Sequence, residues 1–213
     1  EMTSSLVGSE MCIRDSIMDN LIAEKKCKPM IVVMPNGNIA KQAAAGETFE
    51  NQNYKPVMTN FLPHFKDGTF ETAFPEIVDY VDATFNTKAD KAHRAIAGLS
   101  MGGLHSVMIS ANYPDLFDYV GLFSAGVNFK DVDMEAFPGY ANLDTKLATQ
   151  AKKGVKLYWI AIGKEDQHMN NNKLLMERLD KDGLKYTYHE SSRGHIWSNW
   201  RQYTLQFVPQ LFK

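Results

Sequence analysis

Cysteine is scarce in this 213-residue chain. Only Cys12 and Cys27 occur, too few for a disulfide framework or a zinc site. An excess of either charge is also lacking. Lys and Arg number 23 against 25 Asp and Glu, which leaves no electrostatic footprint for nucleic acid or an anionic membrane. No run approaches the roughly 18 apolar residues that a transmembrane helix needs. Repeats and low-complexity tracts are absent. No histidine–carboxylate cluster has metal-ligand spacing, and no glycine-rich loop carries the lysine of a P-loop. Neither metal nor cofactor is expected. What is present is 44% hydrophobic residues, enough to build the core of one globular domain.

The first sixteen residues read differently from the rest. Leu6–Asp15 resembles the translation of a transposon-type adapter used in preparing sequencing libraries. Glu1–Ser5 fits the flanking primer with a short barcode, and Ser16 fits the last adapter bases. Residues 1–16 are therefore set aside, and 17–213 are expected to form a single domain that is incomplete at its front. With Cys12 set aside, Cys27 stands alone and no internal disulfide is expected.

Along the remaining chain, short apolar β-branched or aromatic runs alternate with helical periodicity. Strands are expected at Pro29–Met34, Arg94–Leu99, Tyr119–Ser124, Leu157–Ile162 and Lys185–Glu190. Helices are expected from Pro75 to Asn86, where Ile77, Val81 and Phe85 repeat at i, i+4, i+8, and over Gly102–Asn112, Asn170–Asp182 and Ile196–Phe207. Two polar stretches, Asn36–Gly68 and Asn128–Gly154, are read as long loops. The alternation predicts an α/β fold with a mostly parallel sheet covered on both faces.

The chemistry gathers around Gly98-Leu99-Ser100-Met101-Gly102-Gly103. A Gly-x-Ser-x-Gly string arises by chance in roughly one chain in fifteen of this length, so the string alone carries little. Its context carries more: it follows an expected strand and opens an expected helix, as a nucleophile elbow requires. Glycines at 98 and 102 would let strand and helix approach without Cβ clashes. The helix N-terminus would aim the Met101 N–H at a developing oxyanion.

A serine hydroxyl needs a base, and the base needs a carboxylate to orient it. Of six histidines, His64 lies in a long loop and His93 precedes the elbow strand. His105 sits in the helix after Ser100, where a structural role is expected. His168 follows the loop after Leu157–Ile162, and His189 lies within a strand. His195 stands between the last strand and the last helix, at the same sheet edge as Ser100, where parallel sheets build their sites. Asp166 is the preferred acid, with Glu165 as the alternative. The order Ser100, Asp166, His195 is the hydrolase order.

Four passages, DNLIAEKKCKPMIVVMPNGN, HRAIAGLSMGG, YWIAIGKED and RGHIWSNW, spread over 17–213 and carry a resemblance. Together they resemble the esterase family of α/β hydrolases that includes esterase D, the feruloyl and acetyl-xylan esterases of carbohydrate esterase family one, and siderophore esterases. Feruloyl esterase domains attached to bacterial xylanases are the nearest likeness. The resemblance implies an α/β-hydrolase fold lacking its N-terminal strands, with Ser100 as nucleophile, Asp166 as acid and His195 as base. It implies ester hydrolysis on small or polysaccharide-linked substrates, without nucleic-acid or membrane partners, in a secreted or periplasmic setting. It also implies that a front loop supplying a second oxyanion amide precedes Ile17 in relatives. Rival readings are a thioester or siderophore-ester hydrolase of the same family, and a non-catalytic binding module on a hydrolase fold.

Overall fold

A computed structural model describes residues 9–35, 68–127 and 139–213, with side chains described from Ser16 onward. In chain order these residues form α1 (Ser9–Ala23), α2 (Thr69–Thr84), β1 (Ala95–Leu99), α3 (Met101–Asn112), β2 (Tyr119–Phe123), α4 (Leu143–Lys153), β3 (Leu157–Gly163), α5 (Met169–Asp182), β4 (Thr187–Ser191) and α6 (Trp197–Phe207). The four strands pair side by side in the order β1-β2-β3-β4, all parallel.

Strand periodicity divides the core. Ile96, Val120, Leu122, Tyr158 and Ile160 face α3, α4 and α5, together with Leu104, Val107, Leu147, Leu175 and Leu179. Alternate residues Tyr119, Phe123, Trp159 and Ala161 face α6, through Trp200, Tyr203 and Phe207. Strands buried on both faces read as continuous apolar runs, so β2 and β3 were visible in the sequence. α3 is buried along its whole length from Gly103 to Ala111, because it runs beneath the elbow between the sheet and its neighbours. Among the described residues no helix is long and apolar enough to cross a membrane.

Three expectations need correction. Pro29–Met34 forms no strand: it has no sheet partner among the described residues, and Ile31, Val32 and Val33 are exposed. An elongated cleft of about 1190 Å³ separates it from β1, lined by apolar side chains such as Met30, Phe74, Ile96 and Phe207. An apolar run makes a strand only when a neighbouring edge lies within about 4.8 Å, and among the described residues none does. Second, α2 begins at Thr69, and Pro75 lies inside it. Its start is marked by Gly68 at φ 72° and by the Thr72 hydroxyl donating back to the Gly68 carbonyl at 2.8 Å. Third, the stretch read as a loop over Asn128–Gly154 contains α4, whose inward face is only Leu143, Leu147 and Gln150. Asn36–Gly68 lies outside the described residues apart from Gly68, as does 128–138. The boundary between 16 and 17 falls within α1.

Candidate active site

The C-terminal ends of the strands meet at one edge of the sheet. β1 ends in Leu99, and the next residue, Ser100, turns the chain into α3 with φ 51° and ψ −115°. That is strained backbone for a side-chain-bearing residue, and tight surroundings hold it. The Ser100 amide donates to the Phe123 carbonyl at 2.9 Å, extending the β1–β2 ladder by one rung. Its carbonyl accepts from the amides of Gly103 at 3.0 Å and Gly126 at 2.6 Å. Met101 opens the first turn of α3, where no intrahelical carbonyl is available to its N–H.

The elbow's glycines are not equivalent. A Cβ on Gly98 would overlap the Gly102 backbone, with Gly102 Cα only 2.8 Å away. One on Gly103 would meet Ala125 at 2.7 Å, and one on Gly126 would press on Ser100 at 3.2 Å. Gly102 would meet nothing within 4 Å. Close approach therefore demands glycine at 98 and 103 and crowds 126, while the side of Gly102 lies open.

The loop after β4 brings His195 to the same edge. His195 Nε2 lies 3.0 Å from Ser100 Oγ, and Nδ1 lies 3.0 and 3.2 Å from the two Asp166 oxygens. Its loop is clamped from α6, where Asn199 Nδ2 donates to the carbonyls of Ser192 and Gly194 at 3.0 Å each. A Cβ on Gly163 would collide with the Arg193 carbonyl, so the loops after β3 and β4 touch backbone to backbone there. The Trp200 ring stands at 83° to the His195 ring with centroids 4.8 Å apart.

Asp166 follows β3 and is buried. Burial pushes its carboxyl up, but hydrogen bonds from His195 and the His168 amide, with the His195 charge and the nearby Ser124 hydroxyl, outweigh it. The net position is below the usual carboxylate range. The His168 amide supplies one of those bonds at 2.9 Å. Glu165 is excluded as the acid, since its exposed side chain faces Lys164 at 3.9 Å.

The other described histidines have their own partners. His93 pairs with Asp90, and His189 stacks on Trp159. His105 Nδ1 meets the buried Glu71 at 2.6 Å, the structural role expected of it. His168 was passed over, yet its ring lies 5.0 Å from that of His195. Burial, reinforced by His195 and opposed by Asp166, holds its imidazole below the ordinary range. His64 lies outside the described residues, among which no cluster could hold a metal ion.

Ser100, His195 and Asp166 thus form an unbroken hydrogen-bonded line beside a helix N-terminus, an arrangement suited to acyl transfer. Sequence reasoning missed the supports: Ser124, the His168 amide, Asn199 and Trp200. Each stands within a few residues of a strand end or at the start of α6, and strand-end position is the signal that finds Ser124 and His168.

Comparison with known proteins identifies a family. The family model described as Putative esterase matches residues 9–211. An endo-1,4-beta-xylanase/feruloyl esterase of Xylanibacter ruminicola is 31% identical over 200 residues, 92% of this chain and 23% of that protein. The chain therefore spans less than a quarter of that relative's length. A solved ferulic acid esterase superposes with a TM-score of 0.65 at 21% identity, covering 91% of this chain and 74% of that one. A feruloyl esterase module from Clostridium thermocellum, complexed with sinapinate, gives 0.64 at 18% identity, covering 92% and 68%. These likenesses establish an α/β-hydrolase fold, and the match over residues 9–211 shows that the chain belongs to the Putative esterase family.

Proposed function

We propose that this chain carries the catalytic machinery of a serine carboxylesterase acting on feruloyl or acetyl esters of plant xylan. The observation that carries the proposal is the line from Ser100 through His195 to Asp166 at one sheet edge. Ser100 Oγ attacks the ester carbonyl while His195 Nε2 takes its proton, and Asp166 stabilises the imidazolium that forms. The Met101 N–H donates to the tetrahedral oxyanion. His195 then gives its proton to the departing alkoxide, leaving an acyl-Ser100. Water, deprotonated by His195, attacks that acyl group; the carboxylic acid departs and Ser100 recovers its proton. The xylan esters are supported by the feruloyl esterase relatives, one of which is also named as a xylanase.

Fluorophosphonate labelling tests the nucleophile, and substrate preference tests the ester class. The expected result is covalent labelling that disappears in Ser100→Ala, with methyl ferulate or acetylated xylan hydrolysed faster than a thioester. Absence of labelling would refute the catalytic reading and favour a binding module. Labelling with a thioester preferred would leave the nucleophile standing and refute the xylan assignment.

A further inference from the structure

The Met101 N–H belongs to the Ser100–Met101 peptide, and that peptide is braced from behind. A peptide unit is planar and trans, so its carbonyl and its N–H point in opposite directions and move together. The Ser100 carbonyl accepts the Gly126 N–H at 2.6 Å. A Cβ on Gly126 would stand 3.2 Å from that carbonyl and 3.4 Å from the Met101 nitrogen, so the turn after β2 lies directly against this peptide. The Gly126 N–H shares its own peptide with the carbonyl of Ala125, a fully buried residue. That carbonyl accepts from Asn172 Nδ2 at 2.8 Å. Asn172 stands near the start of α5 and is itself fully buried. Its Nδ2 also donates to the His168 carbonyl at 2.9 Å, but the Asn172 backbone amide reaches the same oxygen at 2.9 Å. The bond to Ala125 is therefore the one that depends on the side chain. Carbonyls only accept, so the amide nitrogen must face them. Asn172 Oδ1 is left buried without a partner among the described residues. An amide that leaves its acceptor unpaired is there for its donor, since an apolar side chain would fill the space at less cost.

We propose that Asn172 is a positioning residue of the esterase, aiming the Met101 N–H at the oxyanion through a line of hydrogen-bonded peptides. The line runs from Asn172 Nδ2 to the Ala125 carbonyl, from the Gly126 N–H to the Ser100 carbonyl, and from the Met101 N–H to the substrate. The inference rests on the Ser100–His195–Asp166 reading. Each link sets one peptide dipole head to tail with the next, and hydrogen bonds in such a line polarise one another. Without the Asn172 amide the Ala125–Gly126 peptide is free to turn. The Ser100–Met101 peptide follows it, and the donor tilts off the oxyanion. That charge develops only on the way to the tetrahedral intermediate, so the loss falls on kcat rather than on KM.

The test counts active sites by exhaustive fluorophosphonate labelling and measures 4-nitrophenyl acetate hydrolysis per labelled site. It compares the parent protein with Asn172→Ala and Asn172→Thr. A helical threonine donates back to the carbonyl four residues earlier, as Thr72, Thr149 and Thr204 do at 2.8, 2.9 and 3.0 Å. Asn172→Thr therefore replaces the bond to His168 and not the bond to Ala125. Expected in both variants is a kcat per labelled site lowered about 10-fold, with KM within about twofold of the parent. This is a part of the roughly 10²–10³-fold that removing an oxyanion donor outright costs. A kcat per site within about twofold of the parent in either variant overturns the inference. So does a loss confined to KM, or to the number of sites that label, which would make the asparagine merely structural. If Asn172→Ala fails to fold, Asn172→Thr decides alone, and failure of both overturns the inference. A parent that does not label overturns the catalytic reading and the inference with it, a distinguishable outcome.

Discussion

Adding one methyl group at Gly98 should disable the site, while the same methyl at Gly102 should not. The two glycines flank Ser100 symmetrically in sequence, and their surroundings differ. At Gly98 the new carbon would stand 2.8 Å from Gly102 Cα and closer still to the Gly102 carbonyl, where ordinary contact begins at 3.4 Å. Those atoms are backbone and cannot swing aside, so with the Gly102 carbonyl at 2.2 Å strand and helix must part by about 1.2 Å to restore ordinary contact in a close-packed interior. That movement acts on Ser100, whose Oγ sits 3.0 Å from His195 Nε2, and on the Met101 N–H. A displacement approaching 1 Å costs about 100-fold in rate, and overpacking costs about 1–3 kcal/mol in stability. At Gly102 nothing lies within 4 Å, and the residue is in a helix, where alanine is favoured by about 0.5–1 kcal/mol. Gly98→Ala should therefore label with fluorophosphonate about 100-fold more slowly and unfold at lower denaturant, while Gly102→Ala labels within about threefold and unfolds at equal or higher denaturant. Equal losses in both variants would refute the steric account of the elbow.

Asp166→Asn should fold but lose about 10³–10⁴-fold in ester hydrolysis, because the amide no longer stabilises the imidazolium; a loss under tenfold would remove Asp166 from its role. Ester hydrolysis by the parent should fall on acidification, because a protonated His195 cannot take the Ser100 proton, and a rate flat from pH 8 to 5 would argue against a histidine base. Stability should fall on acidification, since His168 and Asp166 both hold protons less tightly in the folded state than unfolded. The His168 contribution is present above about pH 6.5 and lost below it, and that of Asp166 is lost below about pH 4; urea midpoints constant from pH 7.5 to 4.5 would contradict the first direction, and midpoints constant from about pH 4 to 2 the second. Glu71→Gln should cost about 1–3 kcal/mol, because buried Glu71 bonds His105 at 2.6 Å and the Tyr140 hydroxyl at 3.1 Å; a large loss of labelling without loss of stability would place this cluster in the site instead.

The legible parts of this molecule are those in which one segment carries its own signal. Buried strands announce themselves as Tyr119–Phe123 and Leu157–Gly163, apolar on both faces and stopped by turn residues. The elbow is legible because strand, glycine, serine and helix follow one another within a dozen residues. Ser100, Asp166 and His195 were singled out as residues following the ends of β1, β3 and β4, a rule of topology rather than of motif. What escaped was whatever depends on a partner elsewhere in the chain. Pro29–Met34 has the composition of a strand and no pairing among the described residues, because β-structure needs an adjacent edge that its own residues cannot provide. α4 hid for the opposite reason: two leucines and a glutamine suffice to seal its inner face against α3 and α5, too sparse a stripe to read as periodic.

Ser124 combines both cases. It ends a strand that was recognised, but its side-chain partner is Trp200, reached from 76 positions away in the chain. A parallel sheet makes such convergence natural, because each crossover returns the chain to the same starting edge and each strand releases its last residue at the other. Once three of four strand ends are assigned to chemistry, the fourth residue stands among them by construction. A side chain there either supports the reacting groups or must be kept out of their way. Ser124 is buried, held at φ 50° and polar, and its hydroxyl accepts the Trp200 indole N–H at 3.0 Å. The same logic separates His168 from the remaining histidines. It is the one described histidine other than His195 whose amide and ring both face the Asp166–His195 pair, and its position just past the end of β3 is the reason.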